Sequence, residues 1–79
     1  MFYFVYILLC SDGKYYTGLA NGSLKSRMQE HSRGESKSTV YRLPVKLIWF
    51  CTFTSQSKAA KFEKYLKSHS GRRFRERFL

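Results

Sequence analysis

Residues 2–10, FYFVYILLC, form an unbroken apolar run that ends at Ser11-Asp12-Gly13-Lys14. The apolar pattern resumes as Tyr15-Tyr16-Thr17-Gly18-Leu19-Ala20 and stops again at Asn21-Gly22. Two β-favouring segments flanking Asp-Gly predict a β-hairpin. Its first strand is apolar on both faces, which predicts a place inside a sheet covered on both sides. Ser23 is placed to cap a helix ending near Gly34. The stretch 35–44, ESKSTVYRLP, is polar, lacks a period and closes on the only proline, so it reads as an irregular or briefly helical connection. Val45 to Phe53 predicts a third strand. Ser55 or Ser57 can cap a second helix running to about Ser68, and Ser70-Gly71 separates it from a short terminal segment, RRFRERFL. The order β-β-α-loop-β-α predicts an α+β fold, a three-stranded antiparallel sheet flanked by helices, with residues 1–79 forming one domain.

Charge adds a partner to this outline. The 79 residues carry 15 Lys+Arg against 5 Asp+Glu, a formal net charge of +10. Residues 1–22 contain only Asp12 and Lys14, so the whole excess lies in the remainder. Seven Phe, six Tyr and one Trp exclude a disordered basic tail, because that much aromatic surface can offset the entropy of ordering. Such a balance points to a polyanion, nucleic acid ahead of an anionic membrane. The apolar run at 2–10 is about half the roughly 20 residues a membrane span needs, and it lacks the basic start of a signal peptide. The lysine-studded second helix spends its apolar stripe on the core, which argues against a membrane surface. Cys10 and Cys51 fit small buried hydrophobes of a reduced, cytoplasmic protein, with a disulfide between them left open by the sequence, and no Cys/His cluster suggests zinc.

Polar residues then appear where apolar ones belong. At about 100° per residue, Leu24, Arg27, Met28 and His31 share one arc of the first helix, with Glu30 and Arg33 pointing elsewhere. Such stripes most often only pack, with Arg27 snorkelling and His31 a satisfied core histidine. On the second helix Ala59, Phe62 and Leu66 define the apolar stripe, and Glu63 lies only about 40° from Ala59. A carboxylate drawn toward a packed surface needs a cation, which is Arg27 or a nearby Lys in a structural reading and a metal in a functional one. Tyr6 and Tyr16, one on each hairpin strand, can approach a common face, although strand tyrosines ordinarily pack. Gly18 removes a side chain where the chain either bulges or lets a ligand approach.

Together these residues resemble a known pattern. Val5-Tyr6-Ile7, then Tyr16-Thr17-Gly18, then Leu24, Arg27 and His31, then Glu63 are similar to the GIY-YIG nuclease family, in particular its small stand-alone bacterial members. Tyr16-Thr17-Gly18-Leu19-Ala20, Pro44-Val45-Lys46-Leu47 and Glu63-Lys64-Tyr65-Leu66-Lys67 extend the likeness over about residues 3–78. The resemblance implies a catalytic set of Tyr6, Tyr16, Arg27, His31 and Glu63 around one divalent metal and a scissile phosphate. In it Glu63 would hold Mg²⁺ or Mn²⁺, and Tyr6 would be the general base or help position the attacking water. Arg27 would neutralise the phosphoryl transition state, and Tyr16 and His31 would orient phosphate or water. That chemistry is coherent, since Mg²⁺ often takes one carboxylate plus waters and substrate phosphate.

The function expected is a metal-dependent endonuclease acting on DNA, with RNA left open, and either structure-selective or weakly sequence-specific. Lys58, Lys61, Lys64, Lys67, Arg72, Arg73, Arg75 and Arg77 would grip the backbone without reading sequence, and Phe74 and Phe78 would tuck the terminal segment onto the core. The alternative to structural or weak sequence selectivity is a partner protein that supplies targeting. The alternative to an enzyme is a nucleic-acid-binding module with the nuclease fold and little catalysis.

Overall fold

The hairpin forms where Asp-Gly predicts it. In the computed structural model, which describes residues 1–79, strands β1 (Tyr3–Leu9) and β2 (Tyr15–Asn21) pair antiparallel, with Tyr3 opposite Asn21 and Leu9 opposite Tyr15. The Asp12 carboxylate closes the turn by accepting the Lys14 backbone N–H at 2.9 Å, and this bond holds its pKa below the usual carboxylate range. Strand β3 (Lys46–Phe53) pairs antiparallel with the other side of β1, giving the order β2-β1-β3. The two-faced apolarity of β1 is thereby explained, because the central strand is covered on both sides.

Strand alternation divides the core. Tyr6 and Leu8 join Ala20 on one face, while Val5 and Ile7 join Ala59 and Leu66 on the other. Helix α1 (Leu24–Ser32) covers the first face through Leu24 and Met28, and Ser23 caps it by accepting the Ser26 N–H at 3.1 Å. Helix α2 (Gln56–Lys67) covers the second face, and of the two candidate caps it uses Ser55, whose Oγ accepts the Lys58 N–H at 3.3 Å. The connection at 35–44 is irregular apart from a single 3-10 turn at Val40–Arg42.

The chain end corrects the sequence reading. A third helix, α3 (His69–Phe78), takes in the supposed Ser70-Gly71 separator, and the break falls at Ser68. Ser68 ends α2 and caps α3, its Oγ accepting the Gly71 N–H at 3.3 Å. Gly71 is needed for close packing and not for a break, because a Cβ there would overlap the Leu66 backbone. Phe74 packs on Trp49 and Phe62 at centroid distances of 5.5 and 6.4 Å, as expected. Phe78 differs, remaining 65% exposed beside Phe74. Cys10 is buried and Cys51 half-buried, and both are free thiols whose pKa burial pushes up. No helix is long and apolar enough to cross a membrane.

Candidate active site

The placement of Tyr6 begins with Gly18, its direct partner across the hairpin. A Cβ at residue 18 would overlap Tyr6 Cζ and Oη, so the bare glycine lets the Tyr6 ring lie across β2. Gly18 therefore neither bulges nor admits a ligand, as its sequence context had suggested; its vacancy is filled by Tyr6. The sheet irregularity lies instead between Ile7 and Leu8, against β3.

Lying across β2 brings the phenol to α1. Tyr6 Oη is 2.8 Å from His31 Nε2 and accepts the Arg27 Nε–H at 3.3 Å. The rings of Tyr6, Tyr16 and His31 form a triangle with centroids 5.6 to 6.5 Å apart. Arg27 Nη1 donates to Glu30 Oε2 at 3.0 Å, leaving Nη2 without a partner in the protein. Tyr6 and His31 have no solvent exposure, whereas Arg27 and Tyr16 are half-buried and the Tyr16 hydroxyl has no protein partner. A ligand arriving from solvent thus meets Arg27 and Tyr16 first, with Tyr6 and His31 behind them.

Electrostatics follow from that layering. Burial pushes the Tyr6 phenol up, and the Arg27 guanidinium opposes it through its hydrogen bond and its charge. The charges of Tyr16 and Glu63 add smaller upward pushes, so the Glu63 carboxylate is felt at Tyr6 from α2. His31 is pushed below the ordinary histidine value of 6.5, first by burial and then by Arg27, with Glu30 opposing. It is therefore held neutral. The unfolded chain binds this proton more readily than the folded one, so stability rises with pH through the window just below 6.5 and is fully present above it. The melting temperature is expected to climb as pH rises toward 6.5 and to level off above it, and His31→Gln, which cannot titrate, should flatten that slope in a thermal melt series.

Glu63 is 22% exposed, and its Oε2 lies 3.2 Å from Lys67 Nζ. Of the two structural partners considered, it takes the nearby lysine and not Arg27. Lys58, Lys61, Lys64, Arg72, Arg73 and Arg77 are all exposed. Two of the supposed backbone-gripping residues have other contacts: Lys67 pairs with Glu63, and Arg75 donates to the Leu66 carbonyl at 3.1 Å while lying over the Tyr15 ring. The one sizeable concavity, about 500 Å³, is lined by Tyr15, Arg72, Arg75, Glu76 and Leu79 and shares no residue with the Tyr6 cluster.

Two members of the cluster escaped the sequence reading. Glu30, placed elsewhere on the helix, is the i+3 partner of Arg27, a spacing that signals ion pairing. Thr39 is fully buried, its Oγ1 2.8 Å from His31 Nδ1. Nothing in the aperiodic stretch around it marks that role. The turn carrying it is pinned to the hairpin tip, where Arg42 Nε donates to Asp12 Oδ2 and Ser11 N–H donates to the Arg42 carbonyl, both at 3.0 Å.

Relatives of the chain are known both by sequence and by structure. A "UPF0213 protein" of Staphylococcus aureus (strain Mu3 / ATCC 700698) is 39% identical over 69 residues, 86% of this chain and 83% of the relative. The solution NMR structure of the UPF0213 protein BH0048 from Bacillus halodurans superposes with a TM-score of 0.61 at 34% identity, covering 96% of this chain and 81% of that one. The family described as the GIY-YIG catalytic domain matches residues 2–77. With its two tyrosines, arginine and histidine gathered on the sheet face that α1 covers, the chain belongs to the GIY-YIG family, a nuclease-type family.

Proposed function

We propose that this protein is a divalent-metal-dependent endonuclease hydrolysing phosphodiester bonds in DNA, with little sequence preference or with selectivity for DNA structure. The observation that carries the reading is Arg27: anchored by Tyr6 and Glu30, it keeps Nη2 unpartnered, while Tyr16, whose ring lies against Tyr6 and His31, keeps a free hydroxyl. A cation held in place before the substrate arrives stabilises developing phosphoryl charge without reorganising.

Arg27 Nη2 would take a non-bridging phosphate oxygen, and the Tyr16 hydroxyl would hold the attacking water or a second phosphate oxygen. Tyr6, fully buried against Arg27 and His31, would hold the guanidinium in place, a role different from the general base or water positioner that the resemblance implies. The donor set suits Mg²⁺ or Mn²⁺: no group of three or more His, Cys, Asp or Glu side chains forms a protein cage, and Glu63 is one partly exposed carboxylate. Glu63 would hold the ion, which when bound polarises water and neutralises phosphate. The exposed Lys58, Lys61, Lys64, Arg72, Arg73 and Arg77 supply a sequence-independent grip that weakens with salt.

The test is nicking of supercoiled and branched DNA with Mg²⁺ or Mn²⁺ against an EDTA control. Wild type should nick only with metal, and Arg27→Ala should lose at least about 100-fold, as when a preorganised charge-stabilising donor is removed. The second reading, a non-cleaving nucleic-acid-binding module, is favoured by the Glu63–Lys67 pair, which gives Glu63 a structural partner. Tight binding with no cleavage on any substrate or metal would select it.

A further inference from the structure

Three side chains without solvent exposure form a line through the site: Tyr6 on β1, His31 on α1 and Thr39 in the turn before β3. Tyr6 Oη is 2.8 Å from His31 Nε2, and His31 Nδ1 is 2.8 Å from Thr39 Oγ1. Beyond Tyr6, the same phenol oxygen accepts the Arg27 Nε–H. A neutral histidine has one N–H and one lone pair, so its two neighbours decide which nitrogen carries the proton.

Donor strength settles the direction. A phenol is a stronger hydrogen-bond donor than an aliphatic alcohol, so the imidazole lone pair belongs opposite Tyr6 and the ring N–H opposite Thr39. This arrangement also serves Arg27. With the phenolic O–H donated to the Nε2 lone pair, the phenol oxygen turns its own lone pairs toward the guanidinium. In the reverse tautomer a proton on Nε2 would displace the phenolic proton toward Arg27 Nε–H, setting donor against donor.

We propose that Thr39 is a positioning residue for Arg27: its hydroxyl accepts the His31 Nδ1–H, fixes the imidazole tautomer, and thereby keeps the Tyr6 oxygen free to anchor the guanidinium. The consequence for cleavage rests on the endonuclease reading; the tautomer and the anchoring of Arg27 do not. Thr39→Val keeps the side-chain shape and removes the acceptor. A buried N–H without an acceptor is rarer and costlier than a lone pair without a donor, so the proton should move to Nε2. The Arg27 bond should then be lost.

Nitrogen-15 NMR of the imidazole rings reads the tautomer directly, with exposed His69 as the internal reference. Wild type and Thr39→Ser are expected to carry the His31 proton on Nδ1 and to show a slowly exchanging Arg27 Nε–H. Thr39→Val should carry it on Nε2 and lose that Arg27 signal, with kcat for nicking down about tenfold and KM within about twofold, the pattern for an interaction made in the transition state. Wild-type His31 protonated on Nε2 overturns the proposal even if the valine variant fails to fold, as does a valine variant with an unchanged Arg27 signal. Wild type that nicks nothing yet shows the predicted tautomer and Arg27 signal supports the positioning role and overturns the endonuclease reading alone.

Discussion

Glu63→Gln is expected to abolish metal-dependent nicking, by at least about 100-fold, while leaving the fold and DNA binding intact. Two roles for this carboxylate make opposite predictions. As the i, i+4 partner of Lys67 it contributes about 0.3 to 0.5 kcal/mol, because Lys67 is 53% exposed and water screens the pair. Losing that contribution leaves the melting temperature nearly unchanged and does nothing to cleavage. As the ligand of a divalent ion, Glu63 would act as a single carboxylate, since no group of three or more His, Cys, Asp or Glu side chains shares that task. Glutamine keeps the size and loses the charge a hard cation needs. Binding measured in EDTA should hold or tighten, because a chain of net charge +10 loses one of its five acids. Nicking of supercoiled plasmid, a thermal melt and binding in EDTA separate the two roles. Wild-type nicking by the variant would reduce Glu63 to its lysine pair.

The largest expected effect on stability belongs to Gly18→Ala. In a strand interior that substitution ordinarily stabilises by roughly 0.5 to 1 kcal/mol, since glycine loses more chain entropy on folding. Here the sign reverses. The new Cβ would overlap Tyr6 Cζ and Oη, and the ring is fully buried with nowhere to retreat. Overpacking costs about 1 to 3 kcal/mol. Displacing the phenol also strips His31 Nε2 and Arg27 Nε of their partner, at about 1 to 3 kcal/mol more. A net loss of about 2 to 4 kcal/mol should lower the melting temperature by about 10 °C or more in a domain of this size. Truncating the ring with Tyr6→Leu in the Gly18→Ala background should recover part of the stability and none of the nicking. That asymmetry would show that the glycine exists to accommodate the tyrosine.

Much of the fold could be read along the chain because its cues are local. Asp12-Gly13 marks the hairpin turn, Ser23 and Ser55 mark helix starts, and the uninterrupted apolar run of β1 marks a central strand. The last helix was missed for an equally local reason: Ser70-Gly71 has the composition of a break, and only the packing of Gly71 against the Leu66 backbone shows that it continues a helix. Arg27, His31 and Glu63 were detectable as polar residues on apolar stripes, where burying them needs a cause. Thr39 was not, because a threonine in an aperiodic polar stretch looks the same whether it faces water or a buried imidazole.

The sequence by itself determined the strand and helix order up to the chain's last ten residues, the basic excess, and a set of residue types that resembles a GIY-YIG site. Tertiary structure decided which of those residues touch. It laid Tyr6 across Gly18, set Arg27 and His31 on the phenol, supplied Thr39 and Glu30, and tied Arg75 to the end of α2. The physical reason is range. Turns, caps and stripes depend on neighbours within a few positions, whereas Tyr6 and His31 stand 25 positions apart and meet only once the sheet has closed and α1 has docked on it.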